Sequence, residues 1–535
     1  LLEWLQKRRL VAHNVKFDTW MTLAGTRHWP GVDLEPNVVW DSAIGQKVLD
    51  PIDLIRLKDT AVRLGLDDGH EADSAEVLAN WVKKAKLGKN IGTKTNPRYD
   101  LVPWSVMEPY ARIDARLCLL LTLLQMERFE AGEGAIHRFR WQMELFRALY
   151  KMERRGIGFD ADACLATAVE VRQEIANLAA QLPWTPPTLA GAKTYFFETR
   201  GISPIKTTEK RGDPQLDDET RTYLMGLEVP GAAEYDQMVR LENADNRWYT
   251  GWPTRIGPDG RLRTSFRQTQ VKSGRMSVER VQLHAVPKDG TLAEGIPSVR
   301  QFFRPKPGYA LWNCDLSQAE LRAAAYEAGC QLMLKMLAEG ADMHGLTTLE
   351  IFGIAPDHPD FKIKRDVSKR LNFGGIFLIG PKRFQDTLAK EANLHWPLSQ
   401  VEQVVYRWRD MYPEYKWAYD KWMDLAERKG WIPLVGGEPS YFGPRDFHNS
   451  AWNRRIQGSL AAFLAKWLIM VERHYPGTQL LTVHDSIVLE LPLCSESELV
   501  EWKGNDVEMV PPIAAEVARL GAEGATRMFN IEMKV

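Results

Sequence analysis

Residues 480–491 read LLTVHDSIVLEL, two short apolar runs on either side of His484, Asp485 and Ser486. Apolar runs of this length predict β-strands, and polar residues between two such strands predict a tight hairpin. Asp485 is therefore expected at the tip of a hairpin, held between two buried strands.

A second carboxylate follows another strand-like run. Residues 309–315, YALWNCD, predict a strand that ends at Asp315, and residues 317–326, SQAELRAAAY, predict a helix capped by Ser317. If Asp315 and Asp485 lie in one sheet, they could share two Mg2+ ions about 4 Å apart, an arrangement suited to phosphoryl transfer. Asp also forms local hydrogen bonds at turns, so a structural role for each residue stays open.

Between these carboxylates, cations and aromatic rings recur every fourth residue. Arg365, Lys369, Phe373 and Phe377 would share one broad face of a helix. Cations hold phosphates and rings stack on a base and a sugar, so this pattern suits a nucleoside triphosphate. A basic helix with a core aromatic stripe is the alternative. The two glycines after Phe373 each cost about 1 kcal/mol relative to Ala in a helix, which indicates a close approach or a bend.

Composition describes an ordinary globular chain. It has 535 residues, 69 Lys and Arg against 70 Asp and Glu, and a hydrophobic fraction of 44%. At about 150 residues per domain, this length predicts three or four compact units. We find no apolar run near the roughly 20 residues of a membrane span, no leader sequence and no C-x-x-C pair among five cysteines. A reducing cytoplasm is therefore expected.

Basic residues are concentrated in two runs. Between Arg255 and Arg275 there are six basic residues and one Asp, and between Lys362 and Arg383 there are seven and one Asp. Local charge matters more than net charge when a protein binds nucleic acid through one groove. These runs therefore favour a nucleic-acid partner, with a solvated basic face as the alternative.

Together these segments resemble the motifs of the family A DNA polymerases. Residues 315–322, DLSQAELR, are similar to motif A (D-Y-S-Q-I-E-L-R), residues 365–377 resemble motif B (R-x3-K-x3-F-x3-Y), and Val483-His484-Asp485 resembles motif C (V-H-D-E). Shorter matches follow the family order: Ser273–Ser277 (T-G-R-L-S), Asp342–His344 (D-x-H), Ile351–Gly353 (I/V-F-G) and Asn453–Ser459 (N-x3-Q-G-T).

The resemblance implies an α+β right-hand polymerase, with an antiparallel palm sheet and helical fingers and thumb. It places the polymerase domain at 137–535, with the thumb at about 140–255, the palm at about 256–330 and 440–535, and the fingers at about 331–439. The implied reaction is template-directed addition of dNTPs to a primer 3′-hydroxyl in DNA replication or repair.

The implied partners are primer-template DNA, dNTPs and two Mg2+ ions, for which Mn2+ can substitute. The chain would act as a monomer without a membrane, in a bacterial cytoplasm or in the host cytoplasm if it is phage-encoded. Asp315, Asp485 and the Leu316 carbonyl would hold both metals, and Lys369 would also be a general acid toward pyrophosphate. The implied nucleotide-binding residues are Arg365, Lys369, Phe373, Phe377, His344, Gln318 and Glu320. The implied DNA contacts are Arg275, Asn453, Gln457 and His484.

Two departures from the family pattern affect the expected site. Phe377 stands where the family has Tyr, so the hydroxyl that would bond Glu320 is missing and discrimination against a 2′-hydroxyl is expected to be looser. Ser486 stands where the family often has a less essential Glu. A single-subunit RNA polymerase and a catalytically inactive DNA-binding relative remain the competing readings. Glu320 and the segment around Arg275 argue against the first, and the intact Asp pair argues against the second.

The N-terminal part, residues 1–136, resembles a partial 3′-to-5′ exonuclease of the RNase H-like α/β fold. Residues 13–18, HNVKFD, follow a predicted strand at 10–12 and resemble the second exonuclease motif. Residues 110–114, YARID, begin a predicted helix at about 110–129 and resemble the third. The residues implied for this remnant site are Asn14, Asp18, Tyr110 and Asp114. The first motif, D-x-E, has no counterpart upstream, and Asp33/Glu35, which has that spacing, is interpreted as a decoy. The chain is thus expected to be either a fragment or one with an inert exonuclease-like domain.

Overall fold

The computed structural model describes residues 2–535 except 25–30, 53–54, 67–75, 79, 82–91, 94–95, 98–101, 210, 287–291, 293–295, 393, 444–445, 447–449 and 505–506. It divides into two compact units, Leu1–Lys151 with Tyr441–Asp446, and Met152–Ser440 with Phe447–Val535. The first unit thus includes most of the helix that follows residue 136, which the sequence analysis assigned to the polymerase domain. None of the described helices is both long and apolar enough to cross a membrane.

The first unit contains a parallel pair of strands, β1 (Leu10–Ala12) and β2 (Val38–Asp41). A short antiparallel pair, β3 (Gly92–Thr93) and β4 (Asn96–Pro97), follows later in the chain. The helices of this part are α1 (Leu2–Leu5), α2 (Lys16–Ala24), α3 (Ser42–Leu49), α4 (Leu57–Arg63), α5 (Trp104–Glu130) and α6 (Ile136–Arg155). The predicted strand at 10–12 is confirmed, and the predicted helix at 110–129 is confirmed with an earlier start.

Aromatic side chains fill the core of the first unit. The Trp40 ring of β2 lies 4.1 Å from the Phe139 ring of α6, and Phe146 and Tyr150 of the same helix are buried. The Trp40 indole donates a hydrogen bond of 2.9 Å to Gln125 Oε1 on α5. A buried indole needs such a partner, so this bond fixes α5 against the strand pair.

The helices after Lys151 are α7 (Ala161–Gln181), α8 (Leu189–Lys193), α9 (Asp218–Gly226), α10 (Ala232–Ala244), α11 (Ala319–Ala328), α12 (Gln331–Glu339), α13 (Met343–Phe352), α14 (Phe361–Gly375), α15 (Pro381–Ala392), α16 (Leu398–Met411), α17 (Glu414–Lys429), α18 (Ala451–Asn453), α19 (Ser459–His474) and α20 (Pro512–Phe529). The strands after Lys151 are β5 (Ile157–Phe159), β6 (Arg261–Leu262), β7 (Ser265–Arg267), β8 (Ser277–Glu279), β9 (Phe303–Arg304), β10 (Tyr309–Asp315), β11 (Trp431–Pro433), β12 (Pro439–Tyr441), β13 (Gln479–Val483), β14 (Ser486–Pro492), β15 (Val500–Lys503) and β16 (Val507–Val510).

A three-stranded antiparallel sheet, in the order β10-β14-β13, organises the second unit. Ile487, Leu489 and Leu491 of β14 are almost fully buried, and α20 packs against β10 and β14. Burying such side chains stabilises each by about 1.5–3 kcal/mol. The predicted strand at 309–315 and the predicted hairpin around Asp485 are both confirmed, and they lie in one sheet.

The predicted helix cap at Ser317 is wrong. Helix α11 begins at Ala319 and is preceded by Gln318, whose φ of 50° is left-handed, and no side chain caps it. The Ser317 amide instead donates to the Lys534 carbonyl oxygen at 2.8 Å. A bond to the distant C-terminal segment therefore sets the path of the chain after Asp315.

The prediction that Phe377 shares a helix face with the other three motif residues is also wrong. Helix α14 ends at Gly375, and Phe377 lies in the following turn. A Cβ at Gly375 would lie only 2.6 Å from the Trp408 ring of α16. The glycine therefore allows the close approach that its position predicted, and the helix ends where this packing occurs.

Candidate active site

Two carboxylates meet at the edge of the central sheet. Asp315 is exposed at the end of β10, and the pairing places it opposite Ser486, the residue after Asp485. His484, with a left-handed φ of 57°, forms the turn that presents Asp485. The Leu316 amide donates to the Asp485 carbonyl oxygen at 3.4 Å. The structure thus brings together the residues that the sequence predicted as metal ligands.

Negative charges lie close together at this edge. Burial first, and then the neighbouring charges of Asp315 and Glu320, raise the pKa of Asp485 to about 6, while His484 opposes them. Carboxylate and carbonyl oxygens are the ligands that Mg2+ prefers, so this donor set fits a divalent cation. No cluster of three or more His, Cys, Asp or Glu side chains suited to a metal occurs among the described residues.

Glu320 connects three segments that lie far apart in the sequence. Its Oε1 accepts hydrogen bonds from the Arg275 guanidinium and, at 3.3 Å, from Gln457 Nε2. Arg275 precedes β8, and Gln457 lies in the π-helical turn Arg454–Gly458 between α18 and α19. Because the carboxylate is bonded from two sides, its position beside the Asp pair is defined. Asn453, the last residue of α18, is half-buried beside this turn.

Arg455 anchors the turn that presents Gln457. It donates to Glu327 Oε2 at 2.7 Å and to the Pro433 carbonyl oxygen at 2.7 Å, and its guanidinium lies 4.5 Å from the centre of the Trp422 ring. Ionic, hydrogen-bond and cation–π contacts combine here. Sequence reasoning did not single out Arg455; the paired arginines before Gln457 were the available signal.

A buried polar network holds His344 at the start of α13. Its Nδ1 lies 3.0 Å from Asn372 Nδ2 on α14, and Asn372 Oδ1 accepts a 2.8 Å bond from the Trp408 indole. Burial first, and then the charges of Arg365 and Lys369, lower the pKa of His344 to about 4, while Asp342 opposes them. In the chain alone His344 is therefore neutral at pH 7, and it can offer a phosphate a hydrogen bond.

The outer face of α14 carries the remaining nucleotide-binding candidates. Lys369 is exposed and makes no hydrogen bond or ion pair within the described part of the chain. The Phe373 ring is 38% exposed and lies 5.9 Å from the His344 ring. Arg365 forms an ion pair with Asp342. Phe377 is separated from this group by the end of the helix, while Gln318 is exposed beside the Asp pair.

Many cations of the first basic run serve internal ion pairs. Arg261 contacts Glu490 at 3.2 Å, and two more arginines pair within their own loops and strands. These are Arg263 with Asp259 and Arg267 with Glu279. The run is therefore not one free basic face, because several of its charges are neutralised by the fold.

The remnant site of the first unit is organised by Asp41, a residue that sequence reasoning missed. The Asn14 and Val15 amides each donate to its carboxylate at 3.0 Å, and the Ala43 amide donates at 2.9 Å as α3 begins. Partial desolvation, together with the charge of Asp41, raises the pKa of Asp18 to about 6. An Asp directly before a helix was the available signal.

A lysine occupies the other side of the remnant. Tyr110 and Asp114 both lie on α5, and Lys58 Nζ is 3.8 Å from Asp114 Oδ1 and 4.0 Å from the centre of the Tyr110 ring. The Asp41 oxygens accept backbone bonds and Asp114 faces an ammonium, so the residues present do not fit a metal pair. Glu35 of the D-x-E decoy is buried and lies 3.2 Å from Arg147, which gives it a structural role.

Residues 166–511 match the family described as DNA polymerase family A. DNA polymerase I, thermostable, from Thermus thermophilus is 27% identical over 65% of this chain and 43% of its own length. The Thermus aquaticus protein of the same description is 26% identical over 72% of this chain and 48% of its own length. DNA polymerase I from Chloroflexus aurantiacus is 26% identical over 73% of this chain and 43% of its own length. The chain thus spans less than half of these curated relatives.

A solved structure shares the fold. The POL domain of Pol1 from M. smegmatis, in complex with DNA primer-template and dNTP, matches with a TM-score of 0.70 and 18% identity. The match covers 100% of this chain and 86% of that one. The predicted α+β polymerase fold is confirmed.

Proposed function

The chain belongs to the family A DNA polymerases, and we propose that it extends a primer 3′-hydroxyl on a DNA template by adding deoxynucleotides and releasing pyrophosphate. The observation that carries this proposal is that the strand pairing places Asp315 opposite Ser486, next to Asp485 in the hairpin turn, with the charge of Glu320 close by. The thumb, palm and fingers ranges, 140–255, 256–330 with 440–535, and 331–439, belong to the same proposal.

Asp315, Asp485 and the Leu316 carbonyl would hold the divalent ions. Bound Mg2+, or Mn2+ in its place, supplies charge stabilisation at the attacking and leaving oxygens. Burial is the main cause of the raised pKa of Asp485, about 6, and the nearby carboxylates Asp315 and Glu320 add to it. Their contribution supports this assignment because a divalent ion would offset the negative charge.

The triphosphate would lie against the outer face of α14. Exposed Lys369 would bind it and donate a proton to the departing pyrophosphate, and Arg365 and neutral His344 would bind its oxygens. Phe373, which is partly exposed, would pack against the sugar. Glu320 would exclude a 2′-hydroxyl, with weaker discrimination because Phe377 has no hydroxyl to bond it.

The DNA would be held by residues around the same site. Arg275, Asn453, Gln457 and His484 would contact the primer end and the minor groove, where acceptors common to all base pairs allow shape to be read without sequence. The bonds of Arg275 and Gln457 to Glu320 support this because they join two of the DNA-contact residues to the side chain that would exclude a 2′-hydroxyl.

Extension of a labelled primer tests the proposal. We expect Mg2+-dependent extension with dNTPs, much less with NTPs, and a fall of about 10³-fold for Asp485→Asn, since a metal contributes several kcal/mol to the transition state. Asp410→Asn, an exposed carboxylate on α16, is the matched control and should extend normally. Preference for NTPs would instead support an RNA polymerase. Primer binding without extension would support an inactive relative.

A further inference from the structure

Arg365 is held by a carboxylate from another helix. Its Nε donates to Asp342 Oδ2 and its Nη2 donates to Asp342 Oδ1, each at 2.8 Å. Two parallel charge-assisted bonds fix both the position and the plane of a guanidinium. The partner is not local in sequence, because Asp342 precedes α13 and Arg365 lies on α14.

The same carboxylate also begins helix α13. Asp342 Oδ1 accepts a 3.1 Å bond from the Gly345 amide, which makes it the N-cap. Gly345 permits this close approach, since a Cβ there would lie 2.5 Å from Asp342 Oδ2. The first turn of α13 contains His344, so Asp342 ties the backbone that carries His344 to the side chain of Arg365.

The pair leaves one edge of the guanidinium available. Asp342 uses Nε and Nη2, while Nη1 makes no bond to any residue in the described part of the chain. Lys369 lies one helical turn further along α14, on the same face, and is exposed. A guanidinium has five donors in a fixed fork, so it can bind a carboxylate on one edge and a phosphate on another.

We propose that Asp342 is a positioning residue that turns the Nη1 edge of Arg365 toward the triphosphate of the incoming nucleotide. The inference rests on the proposed function above and deepens it. Without the carboxylate, Arg365 becomes a flexible side chain that must be ordered each time a nucleotide binds. Nucleotide binding then weakens, while the chemical step, which depends on the Asp pair, continues.

The test compares Asp342→Asn with the unmodified chain in steady-state primer extension with dNTPs. The Asn side chain retains an oxygen for the Gly345 amide but loses the charge and one of the two guanidinium bonds. We expect KM for dNTP to rise about tenfold, as for loss of one charge-assisted hydrogen bond, and kcat to stay within about threefold. Asp360→Asn, an exposed carboxylate just before α14, is the matched control and should leave KM unchanged.

A double-mutant cycle separates positioning from a merely structural role. In an Arg365→Ala background, Asp342→Asn should raise KM by less than about twofold further, because its target is gone. An unchanged or lower KM for the single variant, or the same rise in both backgrounds, overturns the inference. If the unmodified chain does not extend primers, the proposed function fails and this inference fails with it. If the unmodified chain extends primers but the two substitutions show no coupling, only the positioning role of Asp342 is rejected.

Discussion

Asp485 in the second unit and Asp18 in the first unit both have a pKa raised to about 6, yet their surroundings differ in charge. Burial is the main cause of the raised pKa of Asp485, the nearby carboxylates Asp315 and Glu320 add to it, and His484 opposes them. In the remnant site, Asp41 is bonded by backbone amides, and Asp114 faces the Lys58 ammonium at 3.8 Å.

The two units differ in how their own residues compensate the charges of their carboxylates. A buried charge is costly unless it is paired and hydrogen-bonded. In the first unit, backbone amides bond Asp41 and the Lys58 ammonium faces Asp114, so the charges of these two carboxylates are compensated within the chain. In the second unit, Arg275 and Gln457 bond Glu320, whereas burial and the nearby charges of Asp315 and Glu320 raise the pKa of Asp485.

The largest effect on stability is expected when Asp485 of the second unit is replaced. Its folded pKa, about 6, lies above the ordinary value of 3.8, so the folded state binds a proton more tightly and loses stability as pH rises from about 4 to 6. Asp485→Asn should therefore stabilise the β13–β14 hairpin at pH 8 by up to about 3 kcal/mol, and hardly at pH 4. Hydrogen exchange of peptides spanning 479–492, in EDTA, measures this.

Mg2+ gives the decisive control for that measurement. At pH 8, Mg2+ should protect the hairpin of the unmodified chain, because the ion binds the folded carboxylates, and it should not protect the Asn variant. Equal protection of both proteins by Mg2+, or a variant that is less stable at pH 8, would contradict the proposal that Asp485 holds a divalent ion.

A smaller effect is expected at Lys58. Replacing it by Met removes the ammonium beside Asp114 and should destabilise the packing of α4 on α5 by about 1 kcal/mol at pH 7, the upper range for a partly exposed pair. Lys58→Arg retains the charge and is the matched control. Exchange of amides in α4 and α5 reports the change, and primer extension should be unaffected. Stability that rises without Lys58 would show that the lysine is not the internal counter-charge.

The central sheet was predictable because its signals are local. Apolar runs of strand length around Asp485, and a strand ending at Asp315, depend on residues only a few positions apart. Two errors have a non-local cause. The Ser317 amide bonds the distant Lys534 carbonyl oxygen and Gln318 has a left-handed φ, so α11 begins only at Ala319. Helix α14 ends at Gly375, which packs on Trp408, so Phe377 lies beyond it.

The candidate site was only partly visible in the sequence for the same reason. Motif resemblance located the residues expected to face nucleotide and DNA, and the structure places Arg275, Glu320 and Gln457 in mutual contact. The motif resemblance included Asp342 but gave no indication that Asp342 holds Arg365, or that Arg455 holds the turn of Gln457, because the partners of both residues lie on other elements. Composition also could not reveal that much of the first basic run is used in ion pairs.

The smallest expected effect on stability is at Asp18 of the first unit, and this residue also gives the most direct test of the difference between the two units. Its folded pKa, about 6, again lies above 3.8, so the sign is the same as for Asp485, and Asp18→Asn should stabilise α2 above pH 6 and not below pH 4. The side chain is exposed, and solvent screening reduces the gain to about 0.5 kcal/mol. Mg2+ should leave the exchange of α2 amides unchanged in both proteins, because the Lys58 ammonium already faces Asp114 and backbone amides already bond Asp41. Protection of α2 by Mg2+ in the unmodified chain that is lost in the variant would mean that the remnant site binds a cation and that the metal displaces Lys58 from Asp114.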